Sequence, residues 1–492
     1  MQTKLSNIIF RALLIISAIF AILVYGITVR SNGDNIEHLH ESWLIWKGLV
    51  PYRDFFQHHN PLIWYIFSPL VALLINSKHM FMIFNIISVF ITFGIVFYMV
   101  QILKKCRVNR LICIIFACLV LSSYSVFYST DFRPDTLMYL FLFIGIDYLF
   151  RYLDENKLSS IVISFFSLFL SFLSSQKIIL NMVIIALFVI YALVKGKIKK
   201  QDFLYAIILP ALCLVLFLSY LYVNDALSIY VKSNYLFNAH IPLIFKQNRI
   251  VFPPLEYYEF YVFVPVSIVF AILLFKKGDI KEKFLSVLFF EELGLRLFYF
   301  SAFLHYNVLL LMLSIMIFAI YVGKYFKLKD GVIFIFIAYI LFSLGYIYKN
   351  AYLVEKKRLE HKTNYEYVFE NTNFCDYVIN GYYAVYNLKS KDPGFYSILL
   401  GQIDVLGDKL NIAPKDNLNE LIVKYKPKII SSGIYWNTYL EERGRKNIVH
   451  WIDRDILNKY YNPTSVGDLY MLKKEYQKNN CVFDGNTWRY ED

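Results

Sequence analysis

Residues 31–60 read SNGDNIEHLHESWLIWKGLVPYRDFFQHHN, a polar island of acids, bases, histidines and aromatics between two apolar runs. The run before it lies in MQTKLSNIIFRALLIISAIFAILVYG and is long enough to cross a hydrocarbon core about 30 Å thick. It is too long for the apolar centre of a signal peptide and has no small-residue cleavage site, which predicts a retained first helix. The island therefore begins just outside a membrane, and the rest of the chain can be placed from it.

Working outward, the apolar pattern recurs. Of 492 residues 58% are hydrophobic and 18% charged, with a mean hydropathy of +0.49, which excludes an ordinary soluble protein. Apolar runs of about 17 to 24 residues, separated by short charged clusters, predict an all-α polytopic membrane protein. Runs such as LICIIFACLVL lack the alternation of a membrane barrel. The formal net charge of +13 gathers in short loops, where it sets orientation; it does not point to nucleic acid.

With Lys4 and Arg11 cytoplasmic, a span over about 8–29 leads outward, and KKCRVNR at Lys104–Arg110 must be inside again. Two runs lie between, Pro61–Asn76 and Met80–Leu103, yet the charges allow one net crossing. The first is shorter and opens on Pro, which predicts a juxtamembrane or re-entrant helix. Spans over about 111–128 and 136–150 enclose the outer loop STDFRPD, and a hairpin over about 158–174 and 178–194 turns at SSQK and returns to KGKIKK. A span over about 203–221 leads out to a long loop, Tyr222–Glu259, and one over about 260–275 returns to KKGDIKEK. A second hairpin, about 284–301 and 306–322, turns near His305, and a last span over about 332–348 ends outside. This makes about eleven spans, with every strongly basic loop on one side.

After Lys349 the long apolar runs stop. Stretches such as KIISSG and LYMLKK read as strands and NLNELIVKYK as a helix, predicting a small extracytoplasmic α/β domain over 350–492 beside a membrane module over 1–349 whose first outer loop covers about 30–79. Cys106, Cys113, Cys118 and Cys213 lie in or beside apolar runs and read as small buried hydrophobes. Cys375 and Cys481 fall in the polar region; the sequence supplies no distance between them and weighs against a bridge. No spacing suggests a structural zinc.

Asp34 and Glu37 are three apart, on one face if the segment is helical, and a carboxylate at a membrane surface can act as a general base. Solvated loop acids are the plain alternative; the histidines His38, His40, His58 and His59 and the confined position favour a site. In TDFRPD, Arg133 is a planar donor suited to phosphate, while Asp131 and Asp135 could bind a metal or a sugar hydroxyl, or Asp135 could simply start a helix after Pro134. Lys177 stands at the outer turn of a hairpin, against the orientation bias, and either snorkels or meets an anion. Arg296 falls with Glu291 and Glu292 inside an apolar run; Glu292 and Arg296, four apart, could serve only to neutralise each other. His305 and Tyr306 close that hairpin.

The segment DNIEHLHESWLIWKGLVPYRDFFQHHNPLIWY resembles the first extracytoplasmic loop of the bacterial dolichyl-phosphate-mannose-protein mannosyltransferase-like family, membrane glycosyltransferases of the GT-C fold that include the aminoarabinose lipid A transferases. FRPDTLMYLFLFIGIDYL, SSQKIIL and LRLFYFSAFLHYNVLLL are similar to later blocks of that family, so the resemblance covers roughly residues 30–320. It implies an inverting transfer of a sugar from a polyprenyl-phosphate carrier to an extracytoplasmic lipid, glycan or protein acceptor in a bacterial plasma membrane, sometimes assisted by a divalent metal ion. Asp34 falls at the position of the catalytic base; Asn35 stands where a second acid is frequent, which leaves Glu37 as the accompanying carboxylate. The resemblance makes Arg53, Asp54, His58, His59, Asp131, Arg133, Asp135, Lys177, Arg296, His305 and Tyr306 candidates for binding substrate. A transporter or flippase of lipid-linked sugars is the competing reading, although it would usually carry an internal repeat and broken helices at the midplane.

Overall fold

A computed structural model describes residues 2–28, 33–77, 79–240, 257–298, 307–326, 330–379, 390–391, 393–394, 410, 417–431, 452–466, 469–483 and 488–490. In chain order the helices are α1 (Gln2–Ala21), α2 (Gly33–Trp46), α3 (Leu62–Leu74), α4 (Met80–Lys105), α5 (Arg110–Leu121), α6 (Tyr124–Ser129), α7 (Pro134–Glu155), α8 (Leu158–Ser174), α9 (Ile179–Val194) and α10 (Lys200–Val223). Longer helices follow at Tyr258–Lys277, Ile280–Phe298, Val308–Tyr325 and Asp330–Asn371. The chain forms two compact units, one from Met1–Arg30, Met82–Leu216 and Phe245–Leu353, the other from Ser31–Phe81, Phe217–Ile244 and Val354–Asp492.

The first unit is a helical bundle. Among the described residues eight helices are long and apolar enough to cross a membrane, in Ile8–Gly26, α4, α7, Gln176–Val194, α10, Tyr258–Lys277, Val308–Tyr325 and Gly331–Lys349. The chain is thus the multi-pass helical membrane protein that its apolar runs predict. The other three expected spans also form helices: α5 and α8 are apolar but shorter, and Ile280–Phe298 carries Lys281, Glu282, Lys283, Glu291, Glu292 and Arg296.

Between apolar helices in a bilayer, burial from water supplies no drive, so close packing must. The α7–α8 pair shows how. Ser160, Ser164, Ser167, Ser171 and Ser174 recur at alternating steps of four and three along α8, and all are buried. Ser164 Oγ donates to the Gly145 carbonyl (2.7 Å) and Ser171 Oγ to that of Met138 (2.8 Å). Gly145 lies so near α8 that a Cβ there would meet the Leu168 side chain at 2.7 Å.

The second unit contains α2, α3 and the mixed α/β part of the chain. Leu62–Leu74 does form the short helix expected after the island; thirteen residues rise about 20 Å, less than a bilayer core. The Tyr222–Glu259 loop proves partly helical, with Leu227–Val231 continuing into a wider turn over Lys232–Phe237. The sheet has the order β1 (Val378–Ile379), β2 (Ile429–Ser431), β4 (Leu469–Leu472), β3 (Tyr461–Pro463), with β1 parallel to β2 and the other pairs antiparallel. Both predicted strand stretches are present, as is the helix Leu418–Tyr425. Ile430 packs on one face of the sheet with Ile379, Ile422 and Leu472, and Ile429 on the other with Val368, Val378 and Leu469; alternation along a strand buries β2 from both sides.

One expectation is corrected here. Cys375 and Cys481 are bonded, their Cα atoms 5.7 Å apart, across a separation of 106 residues that left no trace in the sequence. The bridge ties the turn after the long helix to β5 (Cys481–Phe483), which pairs with β6 (Trp488–Tyr490). Cys106, Cys113 and Cys118 are buried free thiols, and Cys213 is partly buried.

Candidate active site

The polar island folds into α2 and a tight loop, both in the second unit. Ile36, Leu39, Trp43 and Leu44 form an apolar stripe at helical spacing and are buried. The helix stops at Gly48, whose φ of +82° places it in the left-handed region. Gly48 N donates to the Ile45 carbonyl (2.9 Å) and Leu49 N to that of Leu44 (3.1 Å), the reciprocal pair that closes helix ends on glycine. Lys47 at this end lies over the Trp43 and Phe374 rings, at 4.3 and 5.3 Å from their centroids.

The other face of α2 is buried too, and it is polar. Glu37, His38, His40 and Glu41 are all buried, with Glu41 at 0% exposure. Gln57, also fully buried, holds this group. Its Oε1 accepts from the backbone amides of His58 (2.7 Å) and His59 (3.2 Å). Amides can only donate, so the side-chain NH₂ must face the carboxylates, giving one hydrogen to Glu37 Oε1 (2.8 Å) and the other to Glu41 Oε1. His38 Nδ1 lies 3.5 Å from Glu41 Oε2 and accepts from Trp64 Nε1 (3.2 Å). The His38 and His59 ring centroids are 5.5 Å apart. Burial first, and the neighbouring Glu37 second, push the Glu41 carboxyl well above its usual range, outweighing the Gln57 hydrogen bond.

Carboxylate and imidazole atoms of Glu37, His38 and Glu41 all lie within 4.8 Å of one another. Two buried carboxylates beside one imidazole are a donor set for a divalent cation, which would offset their mutual repulsion. Asp34 stands one helical turn before Glu37 in the first turn of α2 and remains partly exposed.

The rest of the loop is fixed by bonds within itself and to Asn224 and Asn238. Arg53 donates through Nε and Nη2 to Asp54 (2.8 and 2.7 Å) and through Nη1 to Asn224 (3.3 Å). Asp54 Oδ2 accepts from the Val50 amide (2.7 Å). Burial opposes ionisation of Asp54, but the bonds from Arg53 and the Val50 amide outweigh it and hold the carboxyl below its usual range. Tyr52, at φ +67°, bonds the His59 carbonyl, and Asn238 donates to the His58 carbonyl (2.7 Å).

The remaining predicted residues lie in the first unit. Pro134 opens α7, and the buried Asp135 accepts from Lys177 Nζ (2.8 Å) and Ser175 Oγ (3.1 Å), so it binds the SSQK turn instead of merely starting the helix. Arg133 Nε is 3.7 Å from Asp131. Glu292 and Arg296 do pair (3.0 Å), and Asn181 donates to Glu291 (2.6 Å) and Glu292 (2.8 Å). His305 and Tyr306 lie outside the described residues. Sequence reasoning passed over Glu41 and Gln57, although Glu41 follows Glu37 at helical spacing. It also passed over Glu259, whose carboxylate accepts from Ser123 Oγ, Tyr124 N and Ser125 Oγ.

Residues 58–222 match the family model described as dolichyl-phosphate-mannose-protein mannosyltransferase. The match takes in His58, His59, Asp131, Arg133, Asp135 and Lys177, and begins after Asp34, Glu37 and Glu41. No curated protein matches the chain. Among solved structures, the apo oligosaccharyltransferase of Archaeoglobus fulgidus is similar at a TM-score of 0.55 and 10% identity, over 94% of this chain and 74% of that one. At that identity the likeness speaks for the fold. The family match over residues 58–222 and the fold around it together make this multi-pass chain similar to membrane glycosyltransferases of the GT-C type.

Proposed function

We propose that the chain transfers a sugar, with inversion, from a polyprenyl-phosphate carrier to an extracytoplasmic acceptor, and that Asp34 is the general base. The observation that carries this reading is the partly exposed Asp34 one turn from a buried carboxylate pair fixed by Gln57. In the step, an acceptor oxygen bonds the anomeric carbon as that carbon's bond to the phosphate oxygen breaks. The hydroxyl proton passes to Asp34, and the electron pair departs with the polyprenyl phosphate. Glu37, buried and bonded to Gln57, acts as a positioning residue.

Glu37, His38 and Glu41 would hold a divalent cation, which when bound supplies positive charge near the acceptor. Arg133, Lys177 and Arg296 are proposed for the donor phosphate, and His58 and His59 for the sugar. Arg53 and Asp54 shape the loop that carries those histidines. The proposed orientation has a cytoplasmic N-terminus and an extracytoplasmic C-terminal domain in a bacterial plasma membrane. Basic loops along the bundle and a disulfide in the C-terminal region both support it, since such bridges persist in oxidising compartments.

The test incubates purified protein with a labelled polyprenyl-phosphate sugar and membrane acceptors, comparing wild type with Asp34→Ala and Asp34→Asn. Both variants should lose transfer while binding donor. Undiminished transfer refutes the base, and flipping of donor without transfer in the wild type favours the transporter.

A further inference from the structure

The first unit also holds a cavity of about 510 Å³ where its basic loops converge. Five cations line it, Lys104, Lys105, Arg107, Lys197 and Lys281, against two carboxylates, Asp154 and Asp279. They come from the end of α4, the end of α7, the turn after α9 and the start of the helix Ile280–Phe298. Lys281 is 7% exposed and pairs with Asp154, and Lys105 pairs with Asp147. Among the described residues Lys104, Arg107 and Lys197 form no ion pair, so three positive charges face the cavity without a carboxylate of their own.

Orientation of the chain in a membrane accounts for basic residues on this side. It does not account for their convergence on one cavity, nor for Arg107. Arg107 N donates to the Lys104 carbonyl (2.9 Å) and Val108 N to that of Leu103 (3.1 Å), so α4 ends in the motif that ordinarily takes glycine. Arginine occupies that position at φ +61°, against its backbone preference. The turn sets the exposed Arg107 guanidinium at the wall of the cationic cavity.

We propose that this cavity binds a phosphate or phosphodiester group, presented either by an anionic phospholipid or by a soluble phosphate compound. The volume lies in the range of sites that take a whole headgroup. Basic pockets between membrane helices are suited to that chemistry, and the planar guanidinium of Arg107 to two phosphate oxygens.

The test uses the full-length protein with two probes. Native mass spectrometry counts phosphatidylglycerol adducts against phosphatidylcholine adducts, and thermal shift follows titration with pyrophosphate. Three variants accompany the wild type. Lys104→Ala/Arg107→Ala/Lys197→Ala removes the unpaired cations; Lys195→Ala/Lys199→Ala/Lys200→Ala removes as many from the same side but outside the cavity. Arg107→Gly removes the guanidinium and relieves the backbone, so it keeps the inference testable if the triple variant fails to fold. The first triple variant should weaken binding at least tenfold, Arg107→Gly severalfold or more, and the outer triple variant less than twofold. Selective adducts with phosphatidylglycerol name the lipid as source, and stabilisation by pyrophosphate names the soluble compound. Equal loss in both triple variants, unchanged binding in Arg107→Gly, or no preference of the wild type for either probe overturns the proposal.

Discussion

Replacing Glu41 by Gln tests the buried acid pair directly. The side chain keeps its size, and its amide oxygen can still accept from Gln57, so packing changes little. Its titration disappears. In the folded protein, burial and Glu37 raise the Glu41 carboxyl above its unfolded value, so the native state binds the proton more tightly. Its stabilising contribution is therefore complete below the ordinary carboxylate range, about pH 4.3, and falls as pH rises toward the elevated folded value. The slope across that interval is about 1.4 kcal/mol per pH unit for one proton. At about 2–4 °C per kcal/mol for units of 150–250 residues, the wild-type melting temperature should drop about 3–6 °C per pH unit relative to Glu41→Gln. Scanning fluorimetry of both proteins in detergent, from pH 4.5 upward, reads the difference. His38, His40, His58 and His59 surround the pair in both proteins, so the comparison isolates the change at position 41. A divalent cation on Glu37, His38 and Glu41 would keep Glu41 ionised, so Mn²⁺ should flatten the wild-type profile, chelator should restore it, and Glu41→Gln should respond to neither. Parallel profiles for the two proteins would refute the placement of Glu41 as a buried, proton-holding acid.

Gln57→Leu strips two donors from buried carboxylates and the acceptor from two backbone amides; it should destabilise the protein by at least about 3 kcal/mol, read as a lower melting temperature. Gly145→Ala places a Cβ 2.7 Å from the Leu168 side chain and should cost about 1–3 kcal/mol by forcing α7 and α8 apart, measured the same way. Cys375→Ser opens a loop of 106 residues and should cost about 2–5 kcal/mol; reductant should lower the melting temperature of the wild type and leave the variant unmoved.

Apolar length made most of the helices legible, because a span is a local property of some twenty residues. Local spacing likewise put Asp34 and Glu37 on one helix and paired Glu292 with Arg296, and both appear in the fold. What stayed hidden depended on chain separation. Gln57 meets Glu37 and Glu41 from 20 and 16 residues away, Lys177 meets Asp135 from 42, and Cys481 meets Cys375 from 106. Nothing in a short window reports those meetings. Arg53 and Asp54 illustrate the opposite case: adjacent opposite charges in a turn had a local partner available, and the fold uses it.

The acids of the two units treat their charge differently. Asp135 is buried against the Lys177 ammonium, whereas Glu37 and Glu41 are buried against each other. A neutralised buried pair is often replaceable by apolar residues without loss of stability, while removing one partner strands a charge at about 3–5 kcal/mol. Lys177→Met alone should therefore destabilise the protein strongly, and Asp135→Leu/Lys177→Met should recover most of that loss. Activity separates the two roles. If Lys177 serves the donor phosphate, the stable double variant loses transfer and its donor affinity falls at least tenfold. If transfer in the double variant stays within twofold of wild type, the pair belongs to architecture, and the phosphate role falls to Arg133 and Arg296.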